Sequence, residues 1–171
     1  MSARILPVGA RAIRAVAAQL RTISPTADYW TAVTEVHVQS DEAPIMAINP
    51  PEIYLASGGT ELAAVRARGT GTVISVTEAL GIVFLADIEP GSDLDLAWRL
   101  FDADIQRCLG DCEGIPDTSG LKSYLVPLEW QVSTPLSFEG RVAGGLRYKM
   151  SYRHLGRDPR LWDEEDTWVE G

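Results

Sequence analysis

The residues with chemical potential are few. Asp102 and Asp104 are paired carboxylates, Cys108 and Cys112 are thiols four positions apart, and His37 and His154 are the two imidazoles. Acid–base catalysis by paired carboxylates needs both groups to face one pocket with shifted proton affinities. In a helix, positions 102 and 104 point to different sides, so both are expected to face solvent. The cysteines share a face only if 108–112 is helical throughout, which Gly110 opposes. They are read as half-buried free thiols of a reducing cytoplasm. A metal site needs further ligands, and both histidines lie far from the cysteines in sequence. His37 falls on the polar side of an alternating segment and reads as a surface histidine. There is no GxxxxGK[ST], no GxGxxG after a strand, no GxSxG and no histidine pair at metal-binding spacing. The pattern predicts no enzyme, no cofactor and no metal.

Two helices and a set of strands must position whatever the chain does. Ile13, Val16, Ala17, Leu20 and Ile23 recur at helical spacing over Gly9 to Ile23, and Ser24-Pro25 stops that helix. A strand is expected from Tyr29 to Gln39. A short apolar run, Ile45 to Ile48, precedes Asn49-Pro50-Pro51. Glu52 to Ala56 reads as a strand, Ser57-Gly58-Gly59 as a turn, and residues 60–71 as a helical turn or an extended arm. Two strands, Thr72 to Thr77 and Gly81 to Ile88, are joined by a turn at Glu78 to Leu80. Ser92 is the predicted cap of a second helix. Leu94, Ala97, Trp98, Phe101, Ile105, Cys108 and Leu109 form its stripe, and Gly110 ends it as a left-handed cap. Residues 111–120 read as a loop. Leu121 to Val132 reads as a strand, with Pro127 placing it at an edge or bulge. Residues 133–140 read as another loop. The last strand, Arg141 to Arg153, has one packing face (Leu146, Tyr148, Met150, Tyr152) and one basic face. The expected fold is α+β: an antiparallel or mixed sheet with two main helices against it, one domain over 1–159, followed by a loose acidic tail over 160–171.

Composition bounds the function. The 171 residues hold 15 Lys plus Arg and 24 Asp plus Glu, a net charge of −9. Such a chain is poorly suited to wrapping nucleic acid, since affinity for phosphate comes from clustered Lys and Arg. No stretch approaches the roughly 20 apolar residues of a spanning helix, and Met1 to Pro7 lacks the apolar run of a secretory leader. Charge is segregated. Residues 87–117 hold nine acids against Arg99 and Arg107. Residues 141–160 hold six bases against Asp158, and 163–171 hold five acids and no base. Each block alone reads as a solvated face; together, blocks of opposite sign suit a chain that meets copies of itself.

The order of elements carries a resemblance. An amphipathic helix with AIRAVAAQLRTI (Ala12 to Ile23) is followed by a meander with a long central loop. Then come a capped helix with LDLAWRLFDADIQRCL (Leu94 to Leu109) and a closing strand GLRYKMSYRHLGRDP (Gly145 to Pro159). This succession resembles the tail terminator, or minor tail, proteins of long non-contractile-tailed, lambda-like bacteriophages; the acidic end DEEDTW departs from that family's compact form. The resemblance implies a virion protein at the head-proximal end of the tail, assembled in the host cytoplasm. It would form a homo-hexamer seated on the tail tube protein, stopping tube growth and presenting a surface to a head–tail connector or head-completion protein, while genomic DNA passes through the lumen unbound. Under it, Arg147, Lys149 and Arg153 of one copy would meet Asp102 and Asp104 of the next. Arg66 and Arg68 would face tube or channel, and Trp162 and Trp168 would anchor the acidic end on a neighbour. The competing readings are another head–tail joining or tail-tube ring component, and a small-ligand-binding domain or enzyme.

Overall fold

The computed structural model describes residues 6–38, 50–66, 72–87, 89, 91–110, 114–116, 122–127, 136–138, 141–156 and 158–160. The Ile45 to Ile48 run, Arg68, Cys112, Trp162, Trp168 and the rest of the acidic end lie outside them.

The elements run in the order α1 (Val8–Leu20), a single 3-10 turn (Pro25–Ala27), β1 (Glu35–Val38), β2 (Glu52–Arg66), β3 (Thr72–Asp87), α2 (Leu94–Leu109), β4 (Ile115–Pro116), β5 (Lys122–Pro127), β6 (Leu136–Phe138) and β7 (Arg141–Leu155). The strands lie side by side as β1-β2-β3-β7-β5-β4, and β6 also pairs with β7. β1 runs parallel to β2 and every other pairing is antiparallel. The fold is thus α+β with a mixed sheet. No helix among the described residues is long and apolar enough to cross a membrane.

Both helices cover one face of the sheet. Alternate residues of the central strands, Phe84, Ile82 and Leu80 of β3 with Leu146, Tyr148 and Met150 of β7, point into a core shared with Val8, Ala12, Val16 and Leu20 of α1 and Trp98, Phe101 and Ile105 of α2. Phe84 stacks between two aromatic rings of α2, with centroids 4.6 Å from Trp98 and 4.3 Å from Phe101. The helices meet through a reciprocal pair: the Gln19 side chain donates to the Cys108 carbonyl at 3.2 Å, and the Cys108 thiol donates to the Gln19 carbonyl at 3.1 Å. Cys108 is a buried free thiol, and burial raises its pKa.

α1 starts at Pro7, which offers no side-chain cap; the Val8 N–H instead donates to the Pro159 carbonyl at 2.8 Å. The helix start is thereby tied to the segment after β7. Gly9 is required there, because a Cβ would meet the Tyr152 hydroxyl and stand 3.0 Å from Cζ. α2 is capped by Asp93 rather than Ser92: its Oδ1 accepts from the Leu96 N–H at 3.1 Å. Gly110 ends the helix with a positive φ of 31°, but its ψ of −166° is not that of a left-handed cap.

Several boundaries differ from the sequence reading for identifiable reasons. β1 begins at Glu35, not Tyr29, because the preceding N–H groups are engaged elsewhere. Those of Trp30 and Thr31 go to the Asp104 carboxylate, that of Val33 to the Ile23 carbonyl and that of Thr34 to the Pro51 carbonyl. Arg107 braces the same segment, donating to the carbonyl and carboxylate of Asp28 and lying over the Tyr29 ring. Ser57-Gly58-Gly59 is a bulge inside one long strand, with the register stepping from Ser57↔Leu80 to Thr60↔Glu78. Glu78 to Leu80 is the middle of β3, not a turn. Glu78 is tolerated in the core because the Tyr152 hydroxyl donates to its Oε2 at 3.2 Å. The two expected loops at 111–120 and 133–140 contain the short strands β4 and β6.

Candidate functional site

Three regions present chemistry or surface beyond the core. The first is the sheet face turned away from the helices. The register places Arg147, Lys149 and Arg153 there, alternating with the packed residues of β7. Arg147 and Lys149 are exposed and Arg153 is half-buried. The basic stripe of the sequence reading is therefore present on one face.

Its expected acidic counterpart is not. Asp104 is fully buried. Its Oδ1 accepts from the Trp30 N–H at 3.3 Å, and its Oδ2 accepts from the Thr31 N–H and hydroxyl, each at 2.7 Å. All these partners are in the same chain, so Asp104 is a structural anchor and not a docking residue. Asp102 is half-buried rather than solvent-facing. Its Oδ2 accepts from the Gln106 side chain at 2.9 Å, while Oδ1 is buried with no hydrogen-bond partner among the described residues.

The second region is the distal half of the β2–β3 hairpin. Among the described residues, β1 covers β2 only over Glu52 to Leu55. From Ala56 to Arg66, among the described residues, β2 pairs with β3 alone. Residues 57–63 are exposed, and Leu62 is 68% exposed. Arg66, the last residue of β2, is paired in register with Thr72 at the tip. The arm allowed for residues 60–71 is thus a two-stranded extension over its described part.

The third region was missed from sequence. The parallel register sets Glu35 beside Glu52 and His37 beside Tyr54. All four side chains share the sheet face opposite the core, since Val36, Ile53 and Leu55 take the other one. His37 Nε2 stands 3.1 Å from Glu52 Oε2 and 3.9 Å from Glu35 Oε2. The Tyr54 hydroxyl donates to Glu52 Oε2 at 2.7 Å, and the Tyr54 ring stacks on His37 at 4.7 Å. Glu52 is 1% exposed. His37 is therefore flanked by two carboxylates, and is not the lone surface imidazole expected. The alternation Glu35-x-His37 and Glu52-x-Tyr54 is visible in the sequence. The parallel pairing that joins the two pairs is not.

No protein-family model matches this chain, and neither does any curated protein.

The buried phenols give a direct test of this arrangement. Burial pushes Tyr54 up to about 12, helped by the hydrogen bond to Glu52. Burial likewise pushes Tyr148 up to about 12, with the nearby Asp102 charge adding to it. Tyr152 is raised by burial and by Glu78. The unfolded chain ionises such phenols near pH 10. The stability they contribute is thus complete below pH 10 and is lost as pH rises through about 12. Urea titrations are expected to show an unfolding free energy that starts to fall near pH 8.5, where the unfolded Cys108 thiol ionises and the buried one does not, and falls more steeply above about 10 as the phenols add their share. Phenolate absorbance of the folded chain should lag that of the denatured chain over the same interval.

Proposed function

We propose that this chain is a structural ring protein of a long non-contractile phage tail, of the tail-terminator kind. Six copies close on the last ring of the tube, stop its growth and offer a surface to a head–tail connector, and DNA passes through the lumen. This places the protein in the virion and assigns it no catalytic step.

The observation that carries the reading is the β2–β3 arm. Its outer edge from Ala56 onward offers backbone donors and acceptors that no described strand takes up. Such an edge is a template for pairing with another chain unless it is managed or covered. Ring closure needs a heterologous contact, one patch on a different patch of the next copy, and an extended arm provides one side of it. The basic stripe of Arg147 and Lys149 lies on the sheet face turned away from the helices with both side chains exposed, where a neighbour can be registered by charge. The net charge of −9 suits a lumen past which DNA slides. Because Asp104 is committed within its own chain, the acidic partner of the stripe is not the α2 pair.

The test mixes purified chain with tail-tube subunits, measuring filament length and the mass of the cap. A hexameric cap and shortened, uniform tubes are expected. Tubes of unchanged length with no chain bound at their ends would overturn the reading. Co-polymerisation along the whole filament would favour a tube component instead. The double charge reversal Arg147→Glu with Lys149→Glu, both exposed, is expected to leave the fold intact. It should lower hexamer occupancy at least about tenfold at moderate salt, corresponding to roughly 1.4 kcal/mol of contact energy. Light scattering reads this directly.

A further inference from the structure

We propose that Glu35, His37 and Glu52 form a mononuclear site for a divalent transition metal of the zinc class, clamping the edge strand β1 to β2. The parallel register brings together three side chains of ligating type, and their ligand atoms all lie within 4.8 Å of one another. Ligands bonded to zinc at about 2.0–2.1 Å in tetrahedral geometry stand roughly 3.3 Å apart. The His37 Nε2 separations of 3.1 Å to Glu52 and 3.9 Å to Glu35 bracket that value. Glu35 is the more exposed carboxylate, so a small rotation of its side chain closes the longer gap.

Supporting groups orient the ligands. The Tyr54 hydroxyl holds the Glu52 carboxylate at 2.7 Å, and the Tyr54 ring fixes the plane of the imidazole. Outer groups of this kind set ligand orientation in metal sites. Two carboxylates and an imidazole are a donor set of the kind that holds a divalent cation. One nitrogen and two oxygen ligands match zinc or a similar first-row ion better than magnesium, which favours oxygen ligands and keeps its waters. His37 and Glu35 remain partly exposed, so remaining coordination positions are open to water. The clamp acts where the ladder is short: β1 makes four residue pairs with β2.

The test uses the full chain, stripped with a chelator and titrated with Zn2+ and separately with Mg2+. One Zn2+ per chain is expected, with a rise in the thermal midpoint and no comparable response to Mg2+. His37→Ala and Glu35→Gln should each weaken Zn2+ uptake by more than about tenfold, and Tyr54→Phe by roughly tenfold through the lost outer hydrogen bond. Co2+ in place of Zn2+ should give visible bands lacking thiolate charge transfer, and these should disappear in His37→Ala. If removing His37 impairs folding, Glu35→Gln at the exposed carboxylate carries the comparison. Absence of saturable one-to-one uptake by the wild-type chain would overturn the site, leaving a hydrogen-bonded His–Glu pair only. So would uptake unchanged in both His37→Ala and Glu35→Gln, which would place the ion elsewhere.

Discussion

Replacing Asp104 with alanine is expected to lower the unfolding free energy by about 3–5 kcal/mol, which for a chain of this size is a thermal shift on the order of 10 °C. The carboxylate is fully buried and receives three hydrogen bonds from Trp30 and Thr31. Hydrogen bonds to an ionised acceptor are the stronger kind. Truncation leaves two backbone N–H groups and a hydroxyl at the rim of the core with nothing to receive them. The segment 29–34 has no ladder of its own, so it would lose its fixed course across α2. Asp104→Asn keeps an acceptor but loses the charge, and should fall between wild type and alanine. Urea unfolding with an unchanged m-value is the measurement. A loss below about 1 kcal/mol for alanine would show that the segment is held by other contacts, such as the Arg107 brace.

Gly144→Ala is expected to cost about 3 kcal/mol by overpacking. A Cβ at this position would enter the Trp98 ring, 2.5 Å from Cη2 and closer still to Cζ3. The indole has nowhere to retreat, since it lies against Phe84, which in turn stacks on Phe101. The strand must therefore present a bare backbone where α2 crosses it. The mechanism predicts strong coupling. In a Trp98→Leu background, itself destabilised by the smaller side chain, the added methyl finds space and should cost under about 1 kcal/mol. A double-mutant cycle reads the difference. Additive losses would mean that the strain arises from the β7 backbone and not from the indole.

Much of this architecture is legible in the residues. The stripe of α2 and the alternation of β7 each follow from a local period, and local periods survive folding, whereas α1 ends at Leu20 rather than at the Ile23 expected from the proline, and Pro25 opens the 3-10 turn. The sheet-with-helices fold class follows from their order. Other features depend on what lies across from a residue. Gly58-Gly59 is compatible with a turn or with a bulge, and the pairing with β3 decides for the bulge. Asp104 did carry a signal: it sits three after Phe101 and four before Cys108, on the edge of the apolar stripe. An aspartate there is buried only because an extended segment supplies donors from 73 and 74 residues away. The His37 cluster is hidden for the same reason, since its two halves meet through a parallel pairing that no local pattern announces.

The position of β7 has a consequence for synthesis. Among the described residues it is the last long strand, yet it lies in the interior of the sheet, pairing Val73 to Asp87 on one side and β5 and β6 on the other. A nascent chain on the ribosome cannot close its sheet until residue 155 has emerged. Until then β3 has one naked flank, and the aromatic side of α2 has only part of its platform. Contacts this distant in sequence form slowly and leave sticky surface uncovered meanwhile. Products of translation stops before β7 are accordingly natural chaperone and protease clients, while a chain that includes β7 seals its sheet in one late step.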